Sequence, residues 1–186
     1  MENKTVVLGV TGGIAAYKAA DLASKLTQSG ANVKVIMTGS ATEFVTPLTF
    51  RNLTGQPVVT DMFALDSEYS VEHIALAEVA DILVIAPATA NIIAKMACGI
   101  ADDSLTCTVL ATEAPVVIAP SMNDNMYKNP ITQENLEKLK ARGYNIVEPE
   151  YGRLASGKVG QGRLADIEKI IETVKKVLGK SDGAER

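Results

Sequence analysis

Short apolar runs alternate along the chain with longer segments in which apolar residues recur every three or four positions. The runs are rich in Val and Ile and end near Gly, Pro, Ser or Thr, as buried parallel strands do. Five strands are predicted, at Thr5–Val10, Val33–Met37, Ile82–Ala86, Val116–Ala119 and Asn145–Val147. Five helices are predicted, at Ile14–Gln28, Thr46–Leu53, Ala90–Cys98, Pro130–Ala141 and Ile167–Leu178. The alternation predicts an α/β fold: a doubly wound, Rossmann-like parallel sheet with helices on both faces, in a flavodoxin-like three-layer sandwich.

Glycines and one irregular segment complete the predicted organisation. Gly30 and Gly143 follow the first and fourth helices, where a left-handed residue often ends a helix. The segment Glu148–Leu164 is rich in Gly and charge, has little periodicity and is too long for an ordinary connection. It is predicted to be either a mobile active-site flap or a disordered linker. We therefore expect one domain over residues 1–178, with a flap at 148–164, and a disordered tail at 179–186.

Composition narrows the classes of function. The 186 residues are 47% hydrophobic and 22% charged, with a formal net charge of −4 and no cluster of Lys and Arg, so nucleic acid is not expected as a partner. The first residues lack signal-peptide features, and no apolar run approaches the ~18 residues that span a bilayer, so a cytoplasmic protein without a membrane partner is expected. Cys98 and Cys107 match neither a redox pair nor a zinc pattern, and only one His is present. Buried free thiols and no metal site are expected.

A glycine-rich turn follows the first predicted strand. Gly12, Gly13 and Ile14 lead directly into a helix, where backbone N–H groups and the positive end of the helix dipole can meet a flat or anionic ligand. The turn is neither the phosphate loop of ATP-hydrolysing enzymes nor a complete GxGxxG motif. A tight turn that only needs small residues is the structural alternative.

Two further strand ends carry hydroxyl and amide side chains. Thr38 and Ser40 follow the second strand, where a dinucleotide-binding fold would place an Asp or Glu to hold a ribose. Thr89, Ala90 and Asn91 form another polar turn that opens a helix. Since the carboxyl ends of parallel strands share one edge, the three turns predict a single ligand spread across it. A mononucleotide with a large flat head, FMN, is favoured over NAD, although spacing alone does not name the ring system.

Two segments carry candidate catalytic chemistry. His73 is the only histidine, and a lone histidine more often has a structural role. Met122 and Asn123 follow a core strand, and Asn123 and Met126 are expected to face the same crevice as the glycine turn. On the pattern alone, Met126 fits packing as well as ligand binding.

Five motifs in this order resemble the homo-oligomeric flavin-containing Cys decarboxylases. They are Gly12–Lys18, His73, Pro87–Asn91, Pro120–Asn123 and Leu154–Arg163. The likeness covers the chain from about Thr5 to Leu178. It is greatest to the members that act on phosphopantothenoylcysteine, including the decarboxylase half of the bacterial bifunctional enzyme of coenzyme A synthesis.

The resemblance implies an activity and an assembly. A small-molecule substrate, 4'-phosphopantothenoylcysteine, would be converted to 4'-phosphopantetheine with FMN as cofactor. The protein would self-associate into trimers, often assembled into dodecamers. Whether a synthetase domain absent from this chain was once attached stays open.

The resemblance also implies roles for the candidate residues. FMN would be held by residues of four strand ends: Gly12, Gly13, Ile14, Thr38, Ser40, Thr89, Ala90, Asn91 and Met122. It would oxidise the thiol side of the substrate to a thioaldehyde, which loses carbon dioxide, and then return the electrons. His73 would act as base, because imidazole side chains suit proton transfer near neutrality. Asn123 would grip the substrate carboxylate, and Met126 would seat the substrate.

One position departs from the family pattern. The best-known members carry in the flap a Cys that helps to protonate the enethiolate, and Ser156 stands at that catalytic and substrate-binding position here. An alcohol is a far weaker acid than a thiol of pKa ~8.5. Either another group or water finishes the reaction, or turnover stops at an enethiol, as in the peptidyl-cysteine decarboxylases of lantibiotic maturation. The Gly160-Gln161-Gly162-Arg163 continuation favours the coenzyme A pathway.

Two other interpretations remain at this point. A non-catalytic flavin-binding regulator would keep the glycine turn but would not need His73 together with Asn123. A flavin prenyltransferase shares the fold and binds FMN, but it uses a different catalytic set.

Overall fold

A six-stranded parallel sheet forms the centre of the computed structural model, which describes residues 1–63 and 71–184. Its strands are β1 (Thr5–Val10), β2 (Asn32–Met37), β3 (Val58–Val59), β4 (Ile82–Ala88), β5 (Val116–Pro120) and β6 (Asn145–Ile146). They are ordered β3-β2-β1-β4-β5-β6, and each adjacent pair is parallel. The strand order reverses between β1 and β4, which is where doubly wound sheets open a crevice for ligands.

Helices cover both faces of the sheet. In the described residues they are α1 (Ala16–Gln28), α2 (Gly39–Thr42), α3 (Pro47–Thr54), α4 (Glu72–Val79), α5 (Ala90–Cys98), α6 (Ser104–Ala111), α7 (Asp124–Lys128), α8 (Pro130–Ala141) and α9 (Ile167–Ala184). Alternate residues of β1 enter different apolar clusters: Val6 and Leu8 pack with α1 and α9, whereas Val7 packs with α5, α6 and α8. The predicted three-layer α/β fold is confirmed.

The predicted elements recur with small shifts at their ends. All five predicted strands are present, and α5 and α8 have the predicted bounds. Gly30 and Gly143 adopt positive φ angles of 84° and 88°, as expected for residues that end helices. The sequence analysis missed α4, α6, α7 and β3. Its expectation of two buried thiols is wrong for Cys98, which is exposed.

Two segments differ from the sequence-based expectation. The residues predicted to form a flap or a linker make an antiparallel hairpin of β7 (Glu150–Arg153) and β8 (Val159–Arg163), so the disordered-linker alternative is wrong. The tail predicted to be disordered from residue 179 instead continues α9 to Ala184. Because the apolar face of α9 is packed from Ile170 to Leu178, each further residue extends a helix that is already nucleated. Residues 185 and 186 lie outside the described residues.

Within residues 1–63 and 71–184, no helix has both the length and the apolar character needed to cross a bilayer.

The ends of β1 and β2 are in direct contact. A Cβ atom on Gly12 would overlap the Ser40 side chain and lie 2.6 Å from the Ser40 carbonyl carbon. A Cβ atom on Gly13 would meet only Thr89 Cγ2, at 3.6 Å, an ordinary contact distance. Gly12 is therefore required by the approach of two turns, whereas Gly13 is not required by protein packing.

The different surroundings of Gly12 and Gly13 predict different effects of alanine substitution on the stability of the ligand-free protein. Gly12→Ala should lower the free energy of unfolding by about 1–3 kcal/mol, the usual effect of overpacking, because backbone atoms of Ser40 must move. Gly13→Ala, the matched control, should change it by less than about 0.5 kcal/mol. Urea unfolding followed by circular dichroism measures both, and equal effects would contradict the packing described here.

Candidate functional site

A buried threonine joins the turns after β1 and β4. Thr11 is 1% exposed. Its hydroxyl donates to the Pro87 carbonyl at 2.7 Å and accepts the Thr89 N–H at 3.1 Å. Thr89 in turn accepts the Ile92 N–H through its hydroxyl at 3.4 Å and caps α5. The sequence analysis did not single out Thr11, although a polar residue between a buried strand and a glycine turn is a usable signal.

The glycine turn offers unpaired hydrogen-bond donors. The N–H groups of Gly12, Gly13 and Ile14 have no protein partner within the described residues. The Ile14 side chain is 61% exposed, and α1 begins two residues later. Free N–H groups and a positive helix end at the same place suit an anionic or polar ligand.

The end of β2 contains an unsatisfied buried hydroxyl. Thr38 donates its backbone N–H to the Val10 carbonyl at 3.0 Å, which ties the end of β2 to the end of β1. Its Oγ1 atom is buried and has no hydrogen-bond partner among the residues that the structure describes. Buried polar atoms are nearly always paired in native proteins, so a ligand group is the expected partner. The predicted turns at this edge therefore offer hydrogen-bonding groups to a ligand.

The hairpin is docked on the segment that follows β5. Met122 donates its N–H to the Gly162 carbonyl at 2.9 Å, and Asp124 Oδ1 accepts the Gln161 N–H at 2.9 Å. A Cβ atom on Gly160 would lie 2.6 Å from Asp124 Cγ. Gly162 has a φ of 141°, and a Cβ there would overlap the Met122 carbonyl oxygen. These glycines allow the hairpin backbone to lie directly against residues 122–124.

Asn123 retains donors for a ligand. Its Oδ1 atom accepts the Asn125 N–H at 2.9 Å and so caps α7. Its Nδ2 atom makes no hydrogen bond within the part of the chain that the structure describes. Met126, one turn along α7, is 49% exposed. The amide N–H groups of Asn123 and the thioether of Met126 are both available to a substrate.

Charge near this segment is balanced by short-range contacts. The hydrogen bond from Lys128 and the Gln161 N–H hold the pKa of Asp124 below its ordinary value, despite an opposing effect of desolvation. Asp124 therefore stays ionised at neutral pH and remains an acceptor for the hairpin backbone. The described residues contain no group of three or more His, Cys, Asp or Glu side chains that could hold a metal ion.

Neither His73 nor Ser156 makes a hydrogen bond to the strand-end residues within the part of the chain that the structure describes. His73 is the second residue of α4, which packs on α6, and its half-buried imidazole makes no hydrogen bond within residues 1–63 and 71–184. Ser156 is exposed in the tip between β7 and β8. The site within one chain therefore consists of the three turns, Met122, Asn123, Met126 and the root of the hairpin.

Comparison with known proteins supports the resemblance found in the sequence. The flavoprotein family model matches residues 1–179. The coenzyme A biosynthesis bifunctional protein CoaBC of Bacillus subtilis is 50% identical over 184 residues, which cover 99% of this chain and 45% of that protein. The probable phosphopantothenoylcysteine decarboxylase of Streptococcus mutans is 45% identical over 177 residues, which cover 94% of this chain and 99% of that protein. The chain thus spans less than half the length of the bifunctional relative.

Solved structures of similar proteins show the same fold. A variant of PPC decarboxylase in complex with pantothenoylaminoethenethiol superposes with a TM-score of 0.83 at 34% identity, over 94% of this chain and 97% of that one. The FMN-dependent cysteine decarboxylase SpaF has a TM-score of 0.83 at 36% identity, over 96% and 97% of the two chains. A flavin is accordingly the cofactor that the family match and this neighbour support. The chain belongs to the flavoprotein family, in the branch that contains the phosphopantothenoylcysteine decarboxylases.

Proposed function

We propose that this chain is an FMN-dependent decarboxylase that converts 4'-phosphopantothenoylcysteine to 4'-phosphopantetheine in coenzyme A biosynthesis. The observation that carries the proposal is the match to the Streptococcus mutans protein, which bears the decarboxylase name and is covered over 99% of its length. The bifunctional relative supports the same pathway, because 99% of this chain aligns within it.

The strand-end geometry supports FMN in particular. The unpaired Thr38 hydroxyl and the free N–H groups of Gly12–Ile14 are donors for a phosphate and for a polar ring edge. The residues directly after β2, Thr38–Ser40, include no acidic side chain to hold the second ribose of a dinucleotide. Ser40, Thr89–Asn91 and Met122 complete the proposed cofactor site.

The protein's own residues would bind and orient the cysteine end of the substrate. Bound FMN would supply the two-electron oxidation that activates the substrate for loss of carbon dioxide, and the later return of those electrons. The Nδ2 donors of Asn123 would hold the carboxylate, and the exposed thioether of Met126 would contact the substrate beside it. His73, which lies outside the site of its own chain, would accept the thiol proton within the proposed assembly of several copies.

The hairpin would close the site from one side. Its base is fixed on Met122 and Asp124, while Ser156 and Gly157 at its tip are exposed. Closure over bound substrate would shield a reactive intermediate from water. We expect the tip to be mobile in the absence of ligand.

A second candidate reaction stops at an enethiol product. It is favoured by Ser156, because an alcohol is a poor proton donor for the enethiolate. A non-catalytic flavin-binding regulator is less well supported, because it gives no use to the free Asn123 amide or to the exposed Met126.

Self-association into a trimer or dodecamer and a location in the cytoplasm are part of this proposal. Exposed Ile14, Tyr17 and Leu48 near the turns are available for an interface between copies of the chain, and burial there would exclude water from the flavin.

The identity of the cofactor is the first prediction of the proposed function. Mass spectrometry of the compound released from purified protein should give FMN, because the β2 end offers hydroxyls and no ribose-binding carboxylate. Recovery of FAD or NAD would contradict both the site geometry and the family-based function.

The second prediction concerns the two assigned catalytic residues. His73→Asn and Asn123→Asp should each reduce release of carbon dioxide at least about 100-fold, while the visible spectrum of bound flavin stays unchanged. The first loses the base, and the second sets a negative charge against the substrate carboxylate. Asn125→Asp places the same charge two residues along α7 and should leave turnover near normal. Near-normal turnover in either test variant would show that residue to be structural.

The third prediction concerns the tip of the hairpin. Ser156→Ala should change turnover by less than about twofold, because an alcohol is not a competent acid here. Ser156→Cys should leave decarboxylation unchanged and accelerate reoxidation of the reduced flavin, as followed by stopped-flow absorbance. A large loss of turnover in Ser156→Ala would instead mean that the hydroxyl takes part directly.

A further inference from the structure

A buried tyrosine on α7 reaches across to the root of the hairpin. Tyr127 is 6% exposed, and its phenol donates to Glu148 Oε2 at 2.5 Å. The other carboxylate oxygen of Glu148 pairs with Lys140 of α8 at 3.0 Å. Glu148 directly follows Val147, whose N–H is bonded to Ile118 of β5, and lies two residues before β7. The phenol therefore connects α7 to the point where the hairpin leaves the sheet.

The same tyrosine fixes the backbone of Asn123. The Tyr127 N–H donates to the Asn123 carbonyl at 2.9 Å, and the Tyr127 carbonyl accepts from Gln133 Nε2 at 2.5 Å. A helix of five residues does not hold its shape alone, so its orientation depends on tertiary contacts. Among these, Tyr127 supplies the buried side chain of α7.

Two anchors hold α7 between the two ends of the hairpin. Asp124 accepts the Gln161 N–H of β8, and Tyr127 bonds Glu148 ahead of β7. Desolvation and then the Glu148 hydrogen bond raise the pKa of Tyr127, so the phenol remains a donor throughout the neutral range. Burial alone would raise the pKa of Glu148, but the bonds from Tyr127 and Lys140 lower it, and the acceptor stays ionised.

We propose that Tyr127, through its hydrogen bond to Glu148, is a positioning residue that sets the Asn123 amide and the Met126 side chain against the hairpin. The inference rests on the proposed function, because it takes Asn123 as the group that binds the substrate carboxylate. A phenylalanine would fill the same space but leave α7 without its bond to the hairpin root. Tyr127→Phe should therefore weaken binding of the substrate carboxylate and leave the flavin unaffected.

The test compares Tyr127→Phe with Tyr144→Phe in the FMN-loaded protein. Tyr144 is half-buried between α8 and β6, and its hydroxyl makes no hydrogen bond within the described residues. Tyr144→Phe therefore removes a phenol oxygen without removing a hydrogen bond. Calorimetry measures binding of two ligands that do not turn over. Phosphopantothenoylserine keeps the carboxylate but lacks the thiol, and 4'-phosphopantetheine lacks the carboxylate.

Tyr127→Phe should weaken binding of phosphopantothenoylserine about five- to tenfold and that of 4'-phosphopantetheine less than about twofold. It should lower kcat/KM by a similar factor with an unchanged flavin spectrum, and Tyr144→Phe should change none of these. A purely structural role would weaken both ligands alike. That result, or no effect on either ligand, overturns the proposal.

Substitutions of Glu148 provide a second test of the proposal, which still applies if Tyr127→Phe does not fold. Glu148→Gln keeps an acceptor oxygen for the phenol and should bind both ligands within about twofold of the unmodified protein. Glu148→Ala should reproduce the selective loss, and adding Tyr127→Phe should cause no further loss. If Glu148→Gln and Glu148→Ala bind the two ligands with equal affinities, the proposal is contradicted. If the unmodified protein neither binds these two ligands nor turns over 4'-phosphopantothenoylcysteine, the proposed function fails. Normal turnover of that substrate together with unselective effects of the variants refutes only the positioning role.

Discussion

A parallel sheet directs the carboxyl ends of all its strands to one edge, and the site depends on this constraint. In this protein the ends of β1, β2 and β4 approach so closely that Gly12 lies against the backbone of Ser40, while the Thr11 hydroxyl bridges to Pro87 and Thr89. The strands behind them are buried on both faces, so their ends cannot move apart without disrupting the core. The unpaired donors of Gly12–Ile14 and Thr38 are thus fixed in position before a ligand arrives, which is the condition for tight binding of a rigid planar cofactor.

The substrate side of the site is built differently. Asn123 and Met126 belong to a five-residue helix that lies between the two ends of a hairpin and is held by side-chain and backbone contacts at Asp124 and Tyr127. The base of the hairpin approaches this segment closely because Gly160 and Gly162 carry no side chains. The tip makes no comparable hydrogen bonds to residues outside the hairpin within the described residues, and Ser156 is exposed. The proposed cofactor edge is therefore rigid, whereas the proposed substrate edge combines a fixed hairpin base with an exposed tip.

Local sequence predicted those parts of the fold in which local preference and tertiary packing agree. The alternation of buried runs with capped amphipathic helices predicted the sheet and gave the bounds of α5 and α8. It failed for α6, because residues Ser104–Ala111 show no single apolar face and include β-branched residues that are typical of a strand. That helix is specified by the capping box between Asp103 and Thr106 and by packing against α4.

The hairpin was not predicted because its glycines give no alternating pattern, and its strands are held by residues 122–124, distant in sequence. The candidate residues at the strand ends follow from the parallel topology, but the Tyr127–Glu148 bond joins positions 21 residues apart and required the folded structure.

The most direct test of the proposed chemistry is the mass of the product formed by the FMN-loaded protein from 4'-phosphopantothenoylcysteine, without an added reductant. If the flavin both takes and returns two electrons, the product is lighter than the substrate by one carbon dioxide alone and coincides with 4'-phosphopantetheine. Recovery of unchanged substrate would contradict the decarboxylase function. A product that has also lost two hydrogen atoms would show that the reaction ends at the enethiol, and would contradict the proposed step in coenzyme A biosynthesis.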